Sequence, residues 1–310
     1  MKSQLVVTYY LESSEQLSES LKRGLAFPFT ILREMAGGRA GLVDISYPLD
    51  VFNLQRDGLT FFILYLLNKC KLNTIRTVKL LNISNLDLLA ADFFKGPFYG
   101  LRTHTQGQIN VNQTIRGLTL PIRDNSLELL EDVKEALNQG FNFLKENDLQ
   151  PDLEECSLKE RVELIADFDR KNPTPFTYCA NITADPVAMY QKISTVVDSG
   201  MCGLSLNPLY GLGFFRTVRE LRGYVKIHYQ SSSSSLFNSE HSNCSIAEGV
   251  LLGLAGLSGC DFLSINPKNP NLKGVVSLLN SLDCVPVIET TQPEELQEIL
   301  GHSNWIAMQG

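Results

Sequence analysis

Two rhythms of apolar and polar residues divide the chain. In the first, VVTYYL (6–11) reads as a strand and Glu15 to Leu25 as a helix, followed by a strand at AGLVDISY (40–47), a long apolar helix over 57–69 and a strand at TIRTVKLL (74–81). Strands and helices alternating with short joints predict helices on one face of a small antiparallel sheet, a ferredoxin-like α+β unit over residues 1–105. In the second, over residues 106–310, short apolar strands recur at 116–120, 141–145, 174–182, 201–206, 224–229, 260–265, 284–288 and 304–308. The stretches between them carry helical periodicity. In SLELLEDVKEALNQG, Leu127, Leu130, Val133 and Leu137 recur at three- and four-residue steps and Gly140 supplies the stop, as Gly200 does for PVAMYQKISTVVDSG. Eight strands separated by helices predict a (β/α)8 TIM barrel lacking its last helix, since the eighth strand runs to Gly310. A doubly wound open sheet is the alternative, and it lacks a glycine-rich dinucleotide fingerprint after the first strand of either half.

The 310 residues, 44% hydrophobic and 20% charged, describe a globular protein large enough for one sizeable core and a second, smaller one. The net charge of −7 argues against nucleic acid as a partner, because phosphate binding needs a basic face. LTFFILYLL (59–67), the longest apolar run, falls short of the roughly 20 residues that span a bilayer, so no membrane association is expected. The N-terminus lacks the apolar core and cleavage site of a signal peptide. Seven scattered cysteines without a CxxC pair predict neither a zinc site nor a disulfide framework, and so a reducing, cytoplasmic setting.

Barrel enzymes place their reacting groups at the C-terminal ends of the strands. Here those ends offer Pro121 to Asp124, Lys145 to Asp148, Asn181 and Thr183, Asn207, His228 and Gln230, Ser264 and Asn266, Glu289 to Thr291, and Gln309. Each has a plain structural reading. Lys145 and Asp148 fit a solvated strand end, His228 a hydrogen-bonded structural histidine, Ser231 to Ser235 a polar loop. Paired histidines at ligand spacing, a G-x-S-x-G elbow and a P-loop are all missing from the sequence. The residues alone lead only to a two-domain protein with a barrel.

Several segments, in order and spacing, resemble the large subunit of ribulose bisphosphate carboxylase and the RuBisCO-like proteins. KGPFYGL (95–101) is similar to the family's Q-G-P-x-x-G-I, and NKCKLNTIRTVKLL (68–81) to the run closing its small domain. TYCANITA (177–184) resembles the third barrel strand and SGMCGLSLNP (199–208) the fourth. In that family the second strand ends K-D-D-E: the lysine takes up CO2 as a carbamate, and the second aspartate and the glutamate join it on Mg²⁺. Here the stretch is K-E-N-D. The resemblance makes Lys145 the carbamate position and Lys145, Asn147 and Asp148 the metal ligands, with Mg²⁺ weakened by the amide and the shorter carboxylate. The resemblance further implies Asn68, Asn181 and Gln309 as substrate-binding positions and Lys145, His228 and Arg123 as catalytic ones.

Other family positions are replaced. The first strand's G-x-T-x-K-P-K becomes GLTLPIR (117–123), with proline at the first lysine and Arg123 at the second; a guanidinium binds phosphate but does not serve as a base near neutral pH. H-x-H-R-A becomes HYQSS (228–232), keeping one histidine and losing the arginine. The sixth strand keeps Asp261 and loses both histidines, and KNPNLKG (268–274) does not match the closing loop. Glu289-Thr290-Thr291 stands where S-G-G would hold a phosphate. These changes predict a RuBisCO-like protein with a degenerate active site, without carboxylase activity and leaning to non-catalytic. The alternative is an Mg²⁺-dependent enolase- or isomerase-type enzyme on a small enolisable substrate of the sugar-phosphate or methionine-salvage type. That alternative requires Lys145, Asp148, Arg123 and His228 to converge in one pocket. A homodimer is expected from the family, and from the apolar barrel surface left by the absent helix.

Overall fold

The computed structural model describes residues 4–24, 30–36, 38–68, 74–85, 94, 96–100, 115–172, 174–201, 203–230, 237, 242–301 and 303–309. Strand β1 (Gln4–Ser13) alternates cleanly: Leu5, Val7, Tyr9 and Leu11 are fully buried while their neighbours face outward. Helix α1 (Leu17–Gly24) follows, then β2 (Thr30–Ala36), β3 (Ala40–Pro48), α2 (Leu54–Asn68) and β4 (Ile75–Ser84). The sheet order β4-β1-β3-β2, antiparallel throughout, is the ferredoxin-like arrangement expected from the sequence. Strand β2 was not predicted. Arg33 and Glu34 interrupt its apolar pattern, which an edge strand pairing with β3 alone tolerates.

The barrel closes with eight parallel strands: β5 (Ile115–Thr119), β6 (Phe143–Lys145), β7 (Thr177–Asn181), β8 (Gly203–Leu206), β9 (Lys226–Tyr229), β11 (Phe262–Ile265), β12 (Val285–Glu289) and β13 (Ile306–Gln309). Closure is by β13 on β5, from Ile306 opposite Ile115 to Gln309 opposite Leu118. Each strand's alternation then sorts its side chains. Phe143, Cys179, Phe262, Val285, Val287, Ile306 and Met308 fill the barrel interior. Leu144, Tyr178, Ala180, Leu204, Ile227 and Leu263 face the helices instead. Gly117 leaves room for the Met308 side chain, whose sulfur would have to shift to admit a Cβ there.

The helices of the barrel are α3 (Ser126–Asn138), α4 (Leu158–Lys171), α5 (Pro186–Asp198), α6 (Gly213–Leu221), α7 (Glu248–Leu257), α8 (Leu272–Ser281) and α9 (Pro293–Leu300). Helix α7, EGVLLGLAGL, is apolar on every side, because it packs against β4 of the sheet as well as β11 and α8 of the barrel. Just before it, β10 (Cys244–Ile246) adds a parallel strand to β4. This second unpredicted strand crosses the expected boundary at residue 105, so a barrel loop completes the N-terminal sheet. No helix among the described residues is long and apolar enough to cross a membrane.

Phe98 and Tyr99 are bonded to the N-terminal end of the barrel through Asp261, which has no exposure. Its Oδ1 accepts from the backbone N–H groups of Phe98 and Tyr99, both at 2.7 Å. Its Oδ2 accepts from Ile227 N–H at 2.7 Å and from Arg219 Nη2 at 2.6 Å. Arg219 also donates to the carbonyls of Gly223, Val225 and Gly259. Removing one member leaves a buried charge unpaired, which typically costs about 3–5 kcal/mol. Asp261→Ala is therefore expected to lower unfolding stability by an amount of that order in urea titrations, and a loss under about 1 kcal/mol contradicts this role.

Candidate active site

Side-chain alternation decides what the KEND stretch presents. Lys145 points into the barrel and is 4% exposed, while Glu146 points outward and is fully buried between barrel wall and helices. Glu146 is paired on both oxygens: Arg161 Nε donates to Oε1 at 2.8 Å and Arg161 Nη2 to Oε2 at 3.2 Å. The Tyr178 hydroxyl and the Asn181 N–H complete its shell. Burial, and then the Glu146 charge, push the Tyr178 hydroxyl well above its ordinary pKa, so it serves as a donor. Asn147 turns back on its own chain, its Oδ1 accepting from Leu149 N–H at 3.0 Å.

The Lys145 ammonium donates to Asp148 Oδ1 at 3.2 Å, and Glu289 Oε1 lies 4.0 Å from the same nitrogen. An ammonium this buried needs such partners, since an unpaired one costs several kcal/mol. Glu289 comes from the end of β12, across the barrel. The sequence shows it only as a carboxylate at a phosphate position; its signal as a partner of Lys145 is the inward parity it shares with Val285 and Val287. Thr119, the register neighbour of Lys145 on β5, keeps a buried hydroxyl without a hydrogen-bond partner among the described residues.

The other candidates are distributed unevenly. His228 lies inside the barrel with no exposure, its Nδ1 2.8 Å from Ser205 Oγ and its Nε2 2.8 Å from Ser264 Oγ. Burial, and then the Lys145 charge, hold its pKa well below the ordinary value. Asn181 is a hub: its amide donates to the carbonyls of Asp148 and Gln150, and its oxygen accepts from Thr183 and Gln230. Arg123 corrects the expected convergence. Its guanidinium grips Asp132 of α3 through Nε at 2.7 Å and Nη2 at 2.9 Å, which commits it to the outer helix rather than to Lys145. Gln309 is exposed and lines an outer cleft of about 700 Å³ with Arg116, Phe141, Thr290, Glu294 and Gln297, separate from the Lys145 cluster. Asn68 ends α2, and its side chain lies outside the described residues.

Mg²⁺, implied by the resemblance, asks for several oxygens in near-octahedral array. The donor set does not fit it. Glu146 is sealed in its own network, the Asn147 oxygen is held by Leu149, and the Lys145 ammonium stands beside Asp148 and Glu289. Among the described residues no three His, Cys, Asp or Glu side chains form a group able to hold a metal ion.

No protein-family model matches the sequence, and no curated protein does. Solved structures do match. A rubisco-like protein from Burkholderia fungorum aligns over 99% of this chain and 88% of its own, with a TM-score of 0.81 at 16% identity. Dimeric archaeal Rubisco from Hyperthermus butylicus aligns over 100% and 86%, with a TM-score of 0.82 at 16% identity. The rubisco-like protein MtnW from Alicyclobacillus acidocaldarius aligns over 99% and 88%, with a TM-score of 0.79 at 16% identity. The chain has the RuBisCO fold.

Within the RuBisCO fold, the loops after the sixth and seventh barrel strands are tightly held here. Glu248, at the start of α7, accepts from Asn266 N–H and the Asn269 side chain, and Asn266 and Asn269 cap the turns that lead into α8. After β12, the Thr290 N–H is bonded to Met308 O and the Thr290 hydroxyl caps Gln292.

The buried histidine sets a pH dependence. With its folded pKa depressed, His228 binds its proton more readily in the unfolded chain, so its stabilising contribution is present above pH ~6.5 and shrinks as pH falls. Unfolding stability is expected to drop between pH ~6.5 and ~5 by up to about 1.4 kcal/mol per pH unit from this group, with the ring staying neutral by NMR. A ring that titrates near pH ~6.5 in the folded protein contradicts the assignment.

Proposed function

We propose that this chain is a divergent RuBisCO-like protein that does not carboxylate ribulose bisphosphate and that keeps its fold for a non-catalytic binding or assembly role. The observation that carries this reading is the bidentate Arg123–Asp132 pair, which engages the cation that the resemblance offers for a substrate phosphate. Two further features support it. At the end of β12 the Glu289 carboxylate, 4.0 Å from the Lys145 ammonium, already occupies that cation's neighbourhood, and the adjacent Thr290 amide is already bonded to Met308. The pinned 266–271 loop is short for a lid that must fold over a substrate.

A homodimer belongs to the same reading. Large apolar side chains are exposed around the mouth of the first four barrel strands: Ile122, Leu149, Leu153, Val187, Tyr190 and Leu209. Such a surface calls for cover, and one of the proteins sharing the fold is described as dimeric. A reducing, cytoplasmic setting is part of the proposal, supported by free cysteines at 156, 179, 244, 260 and 284.

The second reading, narrowed because Arg123 is bonded to Asp132 and does not join the pocket, is an enolase- or isomerase-type activity on a small enolisable substrate that relies on Lys145 without Arg123. The contact that favours it is the Lys145–Asp148 pair at 3.2 Å inside the barrel mouth. Turnover and assembly separate the two. With ribulose bisphosphate, Mg²⁺ and labelled CO2, no label is expected in acid-stable product; with enolisable sugar phosphates in D2O, no deuterium is expected at the α-carbon. Sedimentation is expected to show twice the 34.6 kDa monomer, reduced to monomer by Leu149→Glu. Deuterium uptake that disappears in Lys145→Ala would replace the first reading by the second, and a monomer at all concentrations would remove the assembly role.

A further inference from the structure

We infer that the Lys145 ammonium is itself the resident cation of the barrel mouth, standing where the resemblance implies a dication and joining β6 to β12 without metal or CO2. Three observations carry this. First, Lys145 is 4% exposed and donates to Asp148 at 3.2 Å, so its charge is held inside the barrel. Second, Glu289 enters from a strand on the other side of the barrel and brings a carboxylate to 4.0 Å from the same nitrogen. Third, the two remaining oxygen-bearing residues of the stretch point elsewhere, Glu146 to Arg161 and Asn147 to Leu149. A carboxylate from the turn after β6 and one from the end of β12, on either side of one buried cation, make an electrostatic cross-link.

The alternative chemistry can be written out. Carbamylation would form a bond between Lys145 Nζ and the carbon of CO2, and the ammonium would release two protons. The product would place an anion beside Asp148 and Glu289, three negative charges with no positive one, and so would need a dication to persist. The ammonium donates to Asp148 and offsets the charge of the half-exposed Glu289 4.0 Å away without either addition. The inference stands beside the proposed function and does not rest on it: it concerns what the mouth binds, and turnover or assembly would be scored separately.

The experiment compares wild type, Lys145→Ala and Glu289→Gln. Wild type with ¹³C-bicarbonate and millimolar Mg²⁺ is expected to show no carbamate resonance and no change in melting temperature. Lys145→Ala leaves Asp148 and Glu289 facing a vacated space. It is expected to melt lower than wild type and to regain about 2–4 °C with millimolar Mg²⁺ or with n-propylammonium, as a ligand that binds only the folded state must do. A Lys145→Ala protein that folds and regains nothing overturns the inference. A carbamate resonance in wild type, or Mg²⁺ stabilisation of wild type that is lost in Glu289→Gln, overturns it too and makes Glu289 an anionic metal ligand. Should Lys145→Ala fail to fold, the wild-type and Glu289→Gln measurements decide alone.

Discussion

A carboxylate with no exposure in a barrel wall has to be paired on both oxygens, and at Glu146 that requirement orders everything around it. Arg161 supplies the opposing charge, Tyr178 and the Asn181 backbone supply further donors, and the strand end is fixed as a result. With Glu146 turned outward, alternation forces Lys145 inward. Asn147 is left to cap its own turn, and Asp148 returns to meet the lysine. One buried pair thereby separates four consecutive polar residues into a wall anchor, an interior cation, a turn and a counter-charge.

The same economy of pairing runs through the rest of the barrel. Asp261 and Arg219 close the N-terminal end against the segment that leads in from the ferredoxin-like sheet. Glu248 holds the loop after β11, and Gln150 bridges the loops after β5 and β6 by bonding both the N–H and the carbonyl of Arg123. At the mouth the charged groups are turned towards one another, while leucine, isoleucine, valine and tyrosine side chains are turned to the outside. A surface with that distribution suits association with another apolar face better than capture of a bisphosphate, which is the physical basis of the proposed role.

Much of this was legible in the sequence, and the exceptions have causes. Strands such as Gln4–Ser13 and Val285–Glu289 announce themselves by alternation or by continuous burial, and the eightfold strand–helix rhythm is enough to predict the barrel. Thr30–Ala36 hid because charged residues are tolerated on an edge. Cys244–Ile246 hid because three residues carry no period, and only tertiary contact with β4 makes them a strand. Lys145 and Asp148 were legible as neighbours at a strand end, where the sequence suggests a solvated pair or metal ligands. Their burial as an ion pair depends on the inward parity of Lys145 within the closed barrel. The Glu289 contact was not legible, because it depends on barrel closure bringing β6 and β12 to face one another. Arg123 misled, since its spacing to Asp132 across a loop and a helical turn shows no pattern that a strand-end reading detects.

The central claim is that the cation at the mouth is a protonated lysine held by two carboxylates. The most direct measurement is ¹⁵N-detected side-chain NMR of the lysine ammonium groups, assigned with Lys145→Arg. The account predicts one slowly exchanging ammonium signal, from Lys145, that persists unchanged when bicarbonate and Mg²⁺ are added. Loss of that signal on their addition, with the other lysines unaffected, would contradict it.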